Sequence, residues 1–222
     1  MSLSFPPDAS RAFRAVAERV YRGDDSTAVL DEIVALVAFT VPGADHVSLA
    51  SLQSDESLLT RAANDDVARL MDRLETEAGE GPCLDSIEED SVQRDPDIAT
   101  HSTWPRLARL VLDRTPVRGM LGYQLLTEGR SRSALNLFSD EVGVFTEGVA
   151  DQAALLAGFA SVALTAVERR DTADALRDRL HEERELGRAV GLVMAAHRVS
   201  EHEALRRLAA ASHQASGRLE DA

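Results

Sequence analysis

From Arg184 onward, apolar residues recur at three- and four-residue intervals in two successive runs, a pattern that helices bury on one face. In the first run Leu186, Val190, Val193 and His197 share a stripe, while Arg184, Glu185 and Arg188 lie elsewhere around the helix. Ser200 then restarts the pattern. Its hydroxyl can accept a hydrogen bond from a free N–H of a first helical turn, and Glu203, three residues on, can reach back to complete a capping box. Ala204, Leu205, Leu208 and Ala211 supply the next apolar face, Gly217 is expected to stop it, and Arg218-Leu219 to open another helix. Three short helices make a small output module.

Upstream the periods alternate. Phe13, Val16 and Val20 mark one helix and Leu30, Ile33, Val34 and Val37 a second, broken apart at Gly23-Asp24-Asp25-Ser26. Val47 to Leu52 alternates strictly, which predicts a half-buried strand with Leu58 to Ala62 as its hairpin partner. Val67, Leu70, Met71 and Leu74 predict a helix, and a short helix follows Gly79-Glu80-Gly81-Pro82. A weak strand around Ser91 to Arg94 precedes the helix opened by Trp104-Pro105. Gly119 to Leu126 and Ser133 to Phe138 are strands joined through a turn at Glu128-Gly129-Arg130. Between Phe145 and His197 few breakers occur, giving two helical stretches, 149–168 and 173–196, in which Leu176 and Leu180 fit a short coiled-coil seam. This order implies an α+β fold: an antiparallel sheet with flanking helices, followed by a small all-α helical module.

Charge decides which partners are reasonable. The chain carries a formal charge of −14, and its twenty-four basic residues are all Arg. Residues 174–222 hold eight Arg against nine Asp and Glu, so the acid is concentrated upstream and the tail is near neutral. That permits nucleic-acid binding without announcing it. The lone cysteine, Cys83, excludes a disulfide within the chain, as expected in a reducing cytosol. The N-terminus has neither a basic start nor an apolar core, so no export signal is expected and the location is cytoplasmic. Ala153 to Val167, the longest apolar stretch, is shorter than the ~18 residues that span a bilayer and is expected to be a packing helix.

No catalytic constellation emerges. Cys83 near a helix N-terminus has no neighbouring histidine as base, and small-residue packing is its expected role. His181-Glu182-Glu183-Arg184-Glu185 places Glu185 where a zinc helix needs its second histidine, and Gly79-Glu80-Gly81-Pro82 lacks the Lys-Ser/Thr of a phosphate loop. Neither a metal nor another cofactor is expected, and the chain is not read as an enzyme. Trp104, Met120, Tyr123 and Asn136 are candidates to line a ligand pocket between the sheet and its covering segments.

The tail resembles the ANTAR family, the RNA-binding domain of bacterial antiterminators. Leu186 to Met194 matches the family's first motif through Ala189, Gly191 and Met194, and Ser200, Glu203, Ala204, Leu208, Ala211 and Ser212 match the second. Val190 stands where the family has Lys, Ala209 where it has Arg, and Ser216 where it has Asn. About residues 10–168 resemble a GAF sensor domain, in their order of elements and in Gly79–Ile87, Trp104-Pro105 and Ala134–Ser139. The resemblance implies a GAF sensor domain over 10–168 and, over 169–222, a connecting helix and an ANTAR-like domain whose third helix is expected to be incomplete at its C-terminus. It implies a homodimeric transcription antitermination regulator, with a small-molecule or protein signal at the sensor and structured RNA hairpins in nascent transcripts as partners. Arg188, Arg198, Arg206, Arg207 and Arg218 are the cations available for RNA, since guanidinium groups can fork onto phosphate or stack on unpaired bases. The alternative is a ligand-sensing or protein-interaction module whose tail, altered at Val190 and Ala209, does not bind RNA.

Overall fold

A computed structural model of the chain describes residues 6–89, 92–100, 102–126 and 132–220, with side chains as far as residue 211. His101, the turn expected at Glu128-Gly129-Arg130, and the side chains of Ser212 and Arg218 lie outside the described residues. The chain divides into two compact units, Met1–Arg170 and Asp171–Ala222.

In the first unit the elements are α1 (Ala9–Arg22), α2 (Ser26–Thr40), β1 (His46–Leu52), β2 (Leu58–Ala63), α3 (Asp66–Ala78), α4 (Pro82–Glu89), β3 (Gln93–Asp95), α5 (Pro105–Arg114), β4 (Gly119–Leu125), β5 (Ser133–Ser139) and the opening of α6 (Glu147–His197). Local chemistry sets their ends. Gly23 closes α1 at φ 75°, a left-handed conformation that glycine adopts without strain, and its N–H returns to Arg19 and Val20 carbonyls. The carboxylates of Asp25 and Asp65 accept from the first-turn N–H groups of α2 and α3. Pro105 starts α5, where its missing N–H costs nothing.

The five strands pair antiparallel in the order β2-β1-β5-β4-β3. One face of the sheet, with Val47, Leu49, Leu121, Leu135 and Leu137, packs on α1, α2 and α6. On the other, Met120 and Phe138 meet Met71, Trp104 and Leu107 of the α3 and α5 side, while Ala50 and Ala134 meet Cys83 and Ile87 of α4. Each fully buried Leu or Phe contributes roughly 1.5–3 kcal/mol before chain entropy is set against it. The strand expected to be half-buried is therefore covered on both faces, and six of the seven residues of β1 are buried.

Two expectations about helices change. The stretches 149–168 and 173–196 are one helix, α6, of 51 residues. No proline interrupts it, and Gly158, Gly187 and Gly191 each cost about 1 kcal/mol relative to Ala without breaking it. It contains an 18-residue window of mean hydropathy 1.5, long and apolar enough to cross a membrane, so the length argument made from Ala153–Val167 fails. Its early apolar residues, among them Ala153, Leu156, Ala160 and Leu164, are instead core residues of the first unit.

The second unit holds the end of α6 and α7 (Glu201–Glu220). Gly217 does not stop α7, and Arg218-Leu219 continue it rather than open a third helix. A glycine ends a helix by adopting positive φ, and Gly217 keeps the helical conformation. At the turn between the two helices Arg198 takes φ 53°. Val190 and Ala204 are the buried side chains among those described in this unit.

Candidate functional site

The sheet face under α3 and α4 carries a buried polar cluster. Register places Ser48 of β1 beside Asn136 of β5, and Asn136 beside Gly122 of β4, in one row across the sheet. Above that row stands Asp72 of α3, fully enclosed. Its Oδ1 accepts from the Ser48 hydroxyl at 2.8 Å and from the Asn136 Nδ2 at 3.4 Å, and its Oδ2 accepts from the Thr60 hydroxyl at 2.6 Å. Burial pushes the Asp72 carboxyl up to about 6, and the three hydrogen bonds, with Arg69 at a distance, pull against that rise. One turn on, Glu75 is equally enclosed and accepts from the Leu84 N–H at 2.9 Å. Burial, assisted by the Asp72 charge, holds Glu75 well above the usual carboxylate range.

Close approach explains the glycines of this region. A Cβ on Gly122 would lie 2.7 Å from the Pro82 carbonyl oxygen, so α4 seats its first turn directly on β4. That seating buries Cys83, whose thiol is pushed well above its ordinary value by burial and then by Glu75 and Asp72. Such a thiol stays protonated and is a poor nucleophile.

The four pocket candidates are not brought together. Trp104 and Met120 share one cluster, with the Trp104 indole N–H donating to Asp85 at 2.7 Å, and Asn136 lies on the same sheet face. Tyr123 faces the opposite way, among the residues packed on α2 and α6, and its hydroxyl donates to the Ala150 carbonyl. Alternation along β4 forces this, since positions 120 and 123 of one strand point to opposite faces. Asn136 Oδ1 is buried with no hydrogen-bond partner among the described residues. Asp72, Glu75, Ser48 and Thr60 were missed in the sequence. The available signal was that Ala68, Asp72 and Glu75 recur at helical spacing beside the Met71 and Leu74 stripe.

In the second unit four of the five candidate arginines are described. Arg188, Arg198, Arg206 and Arg207 are all exposed. Arg188 pairs with Glu185 at 2.6 Å, while Arg206 and Arg207 converge on the single carboxylate of Glu203, which they hold below its ordinary pKa. Arg198 makes no ion pair with a described residue. The capping box is thus half formed: the Ser200 hydroxyl accepts from the Glu203 N–H at 3.4 Å, but the Glu203 carboxylate turns to the arginines instead of returning to Ser200. Of the motif residues, Ala204 is fully buried and Ala189, Met194 and Leu208 are half-buried. Gly191 was expected to allow close helix contact, yet beyond its own helical turn no atom lies within 4 Å of where its Cβ would be. Val190, at the family's Lys position, is buried.

These ion pairs lie at the surface and are screened by solvent, so they orient the arginines without withdrawing them from an incoming phosphate.

A five-stranded antiparallel sheet with helices on both faces and one buried polar cluster makes the first unit, and a helical unit with exposed arginines follows it. The chain belongs to the GAF-domain family, whose model matches residues 23–165, and an ANTAR domain follows over residues 174–222. This pairing of two regulatory domains is that of a regulator of the antitermination type. A search of the curated proteins finds no match.

Similar solved structures include the free methionine-R-sulfoxide reductase of Neisseria meningitidis in complex with its substrate, 15% identical with a TM-score of 0.55, covering 77% of this chain and 98% of that one. The GAF domain of a phosphoenolpyruvate-protein phosphotransferase from Coxiella burnetii is 17% identical with a TM-score of 0.51, covering 76% of this chain and 97% of that one. A phycoerythrobilin-bound GAF domain from a cyanobacterial phytochrome is 12% identical with a TM-score of 0.57, covering 77% and 100%. At these identities the likeness is one of fold.

Proposed function

We propose that the protein is a cytoplasmic, homodimeric antitermination regulator in which the GAF domain, residues 10–168, receives a small-molecule or protein signal and the ANTAR domain within residues 169–222 binds a hairpin in nascent RNA. Holding one hairpin blocks formation of the competing terminator. The observation that carries this reading is the set of exposed guanidinium groups at Arg188, Arg198, Arg206 and Arg207 inside the span that matches the ANTAR family. Arg218 belongs to the same proposed set. At the sensor, Trp104, Met120 and Asn136 stand on the sheet face that holds the Asp72 cluster, which is where a signal would be read.

The protein performs no chemistry of its own in this reading. A fold shared with a reductase does not bring its reaction, since the chain has one cysteine and that thiol is buried and held protonated.

A second reading is favoured by two observations: three of the four described candidate arginines already face carboxylates, and Val190 is buried where the family has Lys. In that reading the protein senses a ligand or a protein partner and its tail makes no RNA contact. Ultraviolet cross-linking of the full-length protein to cellular transcripts separates the two. Recovery of transcripts enriched in paired hairpins upstream of terminators supports the first reading, and recovery of no enriched transcript supports the second.

A further inference from the structure

Helix α3 turns one flank to α5 and another to the strands, and different chemistry holds the two. Toward α5 the contact is apolar: Met71, Leu74 and Ala78 pack with Trp104, Leu107 and Val111. Toward the strands and α4 it is polar, and three of its ties run through ionisable side chains. Asp65, the N-cap of α3, accepts from the Ala68 N–H with one carboxylate oxygen and meets His46 Nδ1 with the other at 2.6 Å. Asp72, two turns on, accepts from Ser48, Thr60 and Asn136. Glu75 reaches the first turn of α4 at the Leu84 N–H. His46 and Ser48 are two residues apart on β1, so both face α3 from the same side of the sheet. A fourth tie, from the Leu58 N–H to the Thr76 hydroxyl, carries no titratable group.

We propose that α3 is a cover over the sensing face that protons hold shut: it closes with Asp72 and Glu75 neutral and His46 charged, and lifts from the sheet as the three lose their protons. The surroundings of each group set the sign. Asp72 faces two hydroxyls and an amide on the strands and Glu75 on its own helix, with Arg69 the cation that acts on it. Glu75 faces Asp72 from α3, and Asp85 and the Cys83 thiol from α4. Two ionised carboxylates a turn apart in that interior lack water and repel each other. His46 stands between Asp65 and Asp140, and the Asp140 N–H is held in turn by Asp45. Protonated, the ring donates to both carboxylates; neutral, it donates to one and turns a lone pair to the other. All three groups are displaced the same way, Asp72 from 3.8 to about 6, Glu75 well above its usual range and His46 above 6.5, so rising pH favours the lifted state. The apolar contact with α5 does not titrate and is the side on which α3 stays attached. Lifting α3 bares Ser48 and Asn136, whose Oδ1 has no hydrogen-bond partner among the described residues, to whatever signal the unit reads.

The inference rests on reading the first unit as a sensor, and its test reads the opening of α3 directly. A protein that binds no RNA can therefore pass it, and one that binds RNA can fail it. Amide hydrogen exchange of the full-length protein is followed across pH and expressed as protection, with the intrinsic pH dependence of exchange divided out. The α3 amides are expected to lose at least about tenfold in protection from about pH 5 to about pH 8, while those of α2 and β5 keep theirs. Asp72→Asn is expected to remove the part of the loss centred near the Asp72 value of about 6. His46→Gln is expected to leave the first turn of α3 less protected on the acid side and to flatten its course above 6.5. The unaltered chain decides the matter even if a variant fails to fold. Protection of α3 that does not change with pH overturns the cover, and so does a loss shared equally by α2 and β5, which is unfolding of the whole unit. A course for Asp72→Asn that superimposes on that of the unaltered chain overturns it as well.

Discussion

The Ser48 hydroxyl on β1 donates a 2.8 Å hydrogen bond to the Asp72 carboxylate on α3, and both side chains are sealed from solvent. The pair ties helix to sheet through a group whose charge is expensive to bury, which makes the tie sensitive to pH.

Asp72 is raised from 3.8 to about 6 in the folded protein, so folding takes up a proton as pH rises through that window. The stability this group contributes is fully present below 3.8 and is lost as pH climbs to about 6. Denaturant unfolding at a series of pH values is expected to show the wild type falling relative to Asp72→Asn across that window, by on the order of 3 kcal/mol in all. Parallel pH profiles for the two proteins would show that Asp72 is not the group responsible.

His46 is held between two carboxylates, its Nδ1 2.6 Å from Asp65 and its Nε2 3.1 Å from Asp140. Burial alone would lower its pKa, and the hydrogen bonds to Asp65 and then Asp140 outweigh burial and raise it. The imidazolium therefore stabilises the fold fully below 6.5, and that stability is lost as pH rises through the higher folded value. An NMR titration of the ring is expected to give a midpoint above 6.5, and His46→Gln to remove the alkaline decline in stability. A midpoint below 6.5 would contradict the clamp.

Gly122→Ala places a methyl group 2.7 Å from the Pro82 carbonyl, backbone against backbone, where no side-chain rotation relieves it. The denaturation midpoint is expected to drop by the equivalent of about 1–3 kcal/mol. The same substitution at Gly79, where nothing lies within 4 Å but φ is 66°, separates crowding from backbone strain.

Ser200→Ala removes the cap of α7 that the Glu203 N–H uses. Hydrogen exchange of the first-turn amides is expected to quicken about fivefold, corresponding to the ~1 kcal/mol such caps supply. Because the Glu203 side chain does not complete the box, Glu203→Gln is expected to leave that exchange unchanged.

Periodicity alone made the order of elements legible, from the helices at Val16 and Ile33 to the hairpin of β4 and β5, since a 3.6-residue repeat and a 2-residue repeat are hard to confuse over these lengths. It was less able to say what lay on the far side of an element. The strict alternation from Val47 to Leu52 predicts a half-buried strand, whereas Ser48, on its polar side, faces a buried carboxylate. Asp72 and Glu75 were invisible for the same reason: charge on an amphipathic helix is ordinarily its wet side, and only the covering of the second face by α3 and α4 reverses that. The end of α7 was misjudged at Gly217, because a glycine stops a helix only where the chain turns, as it does at Gly23. The exposed arginines were legible, but their convergence on Glu203 depends on rotamers that spacing alone leaves open.

The most direct test of the account is the affinity of the full-length protein for a two-hairpin RNA as a function of salt. The account predicts binding at low salt that weakens linearly on logarithmic axes, with Arg206→Ala and Arg207→Ala together reducing that slope by about 1.4–1.8 and weakening binding at every salt concentration. Absence of binding at low salt, or binding whose salt slope is indifferent to the loss of both guanidinium groups, would contradict it.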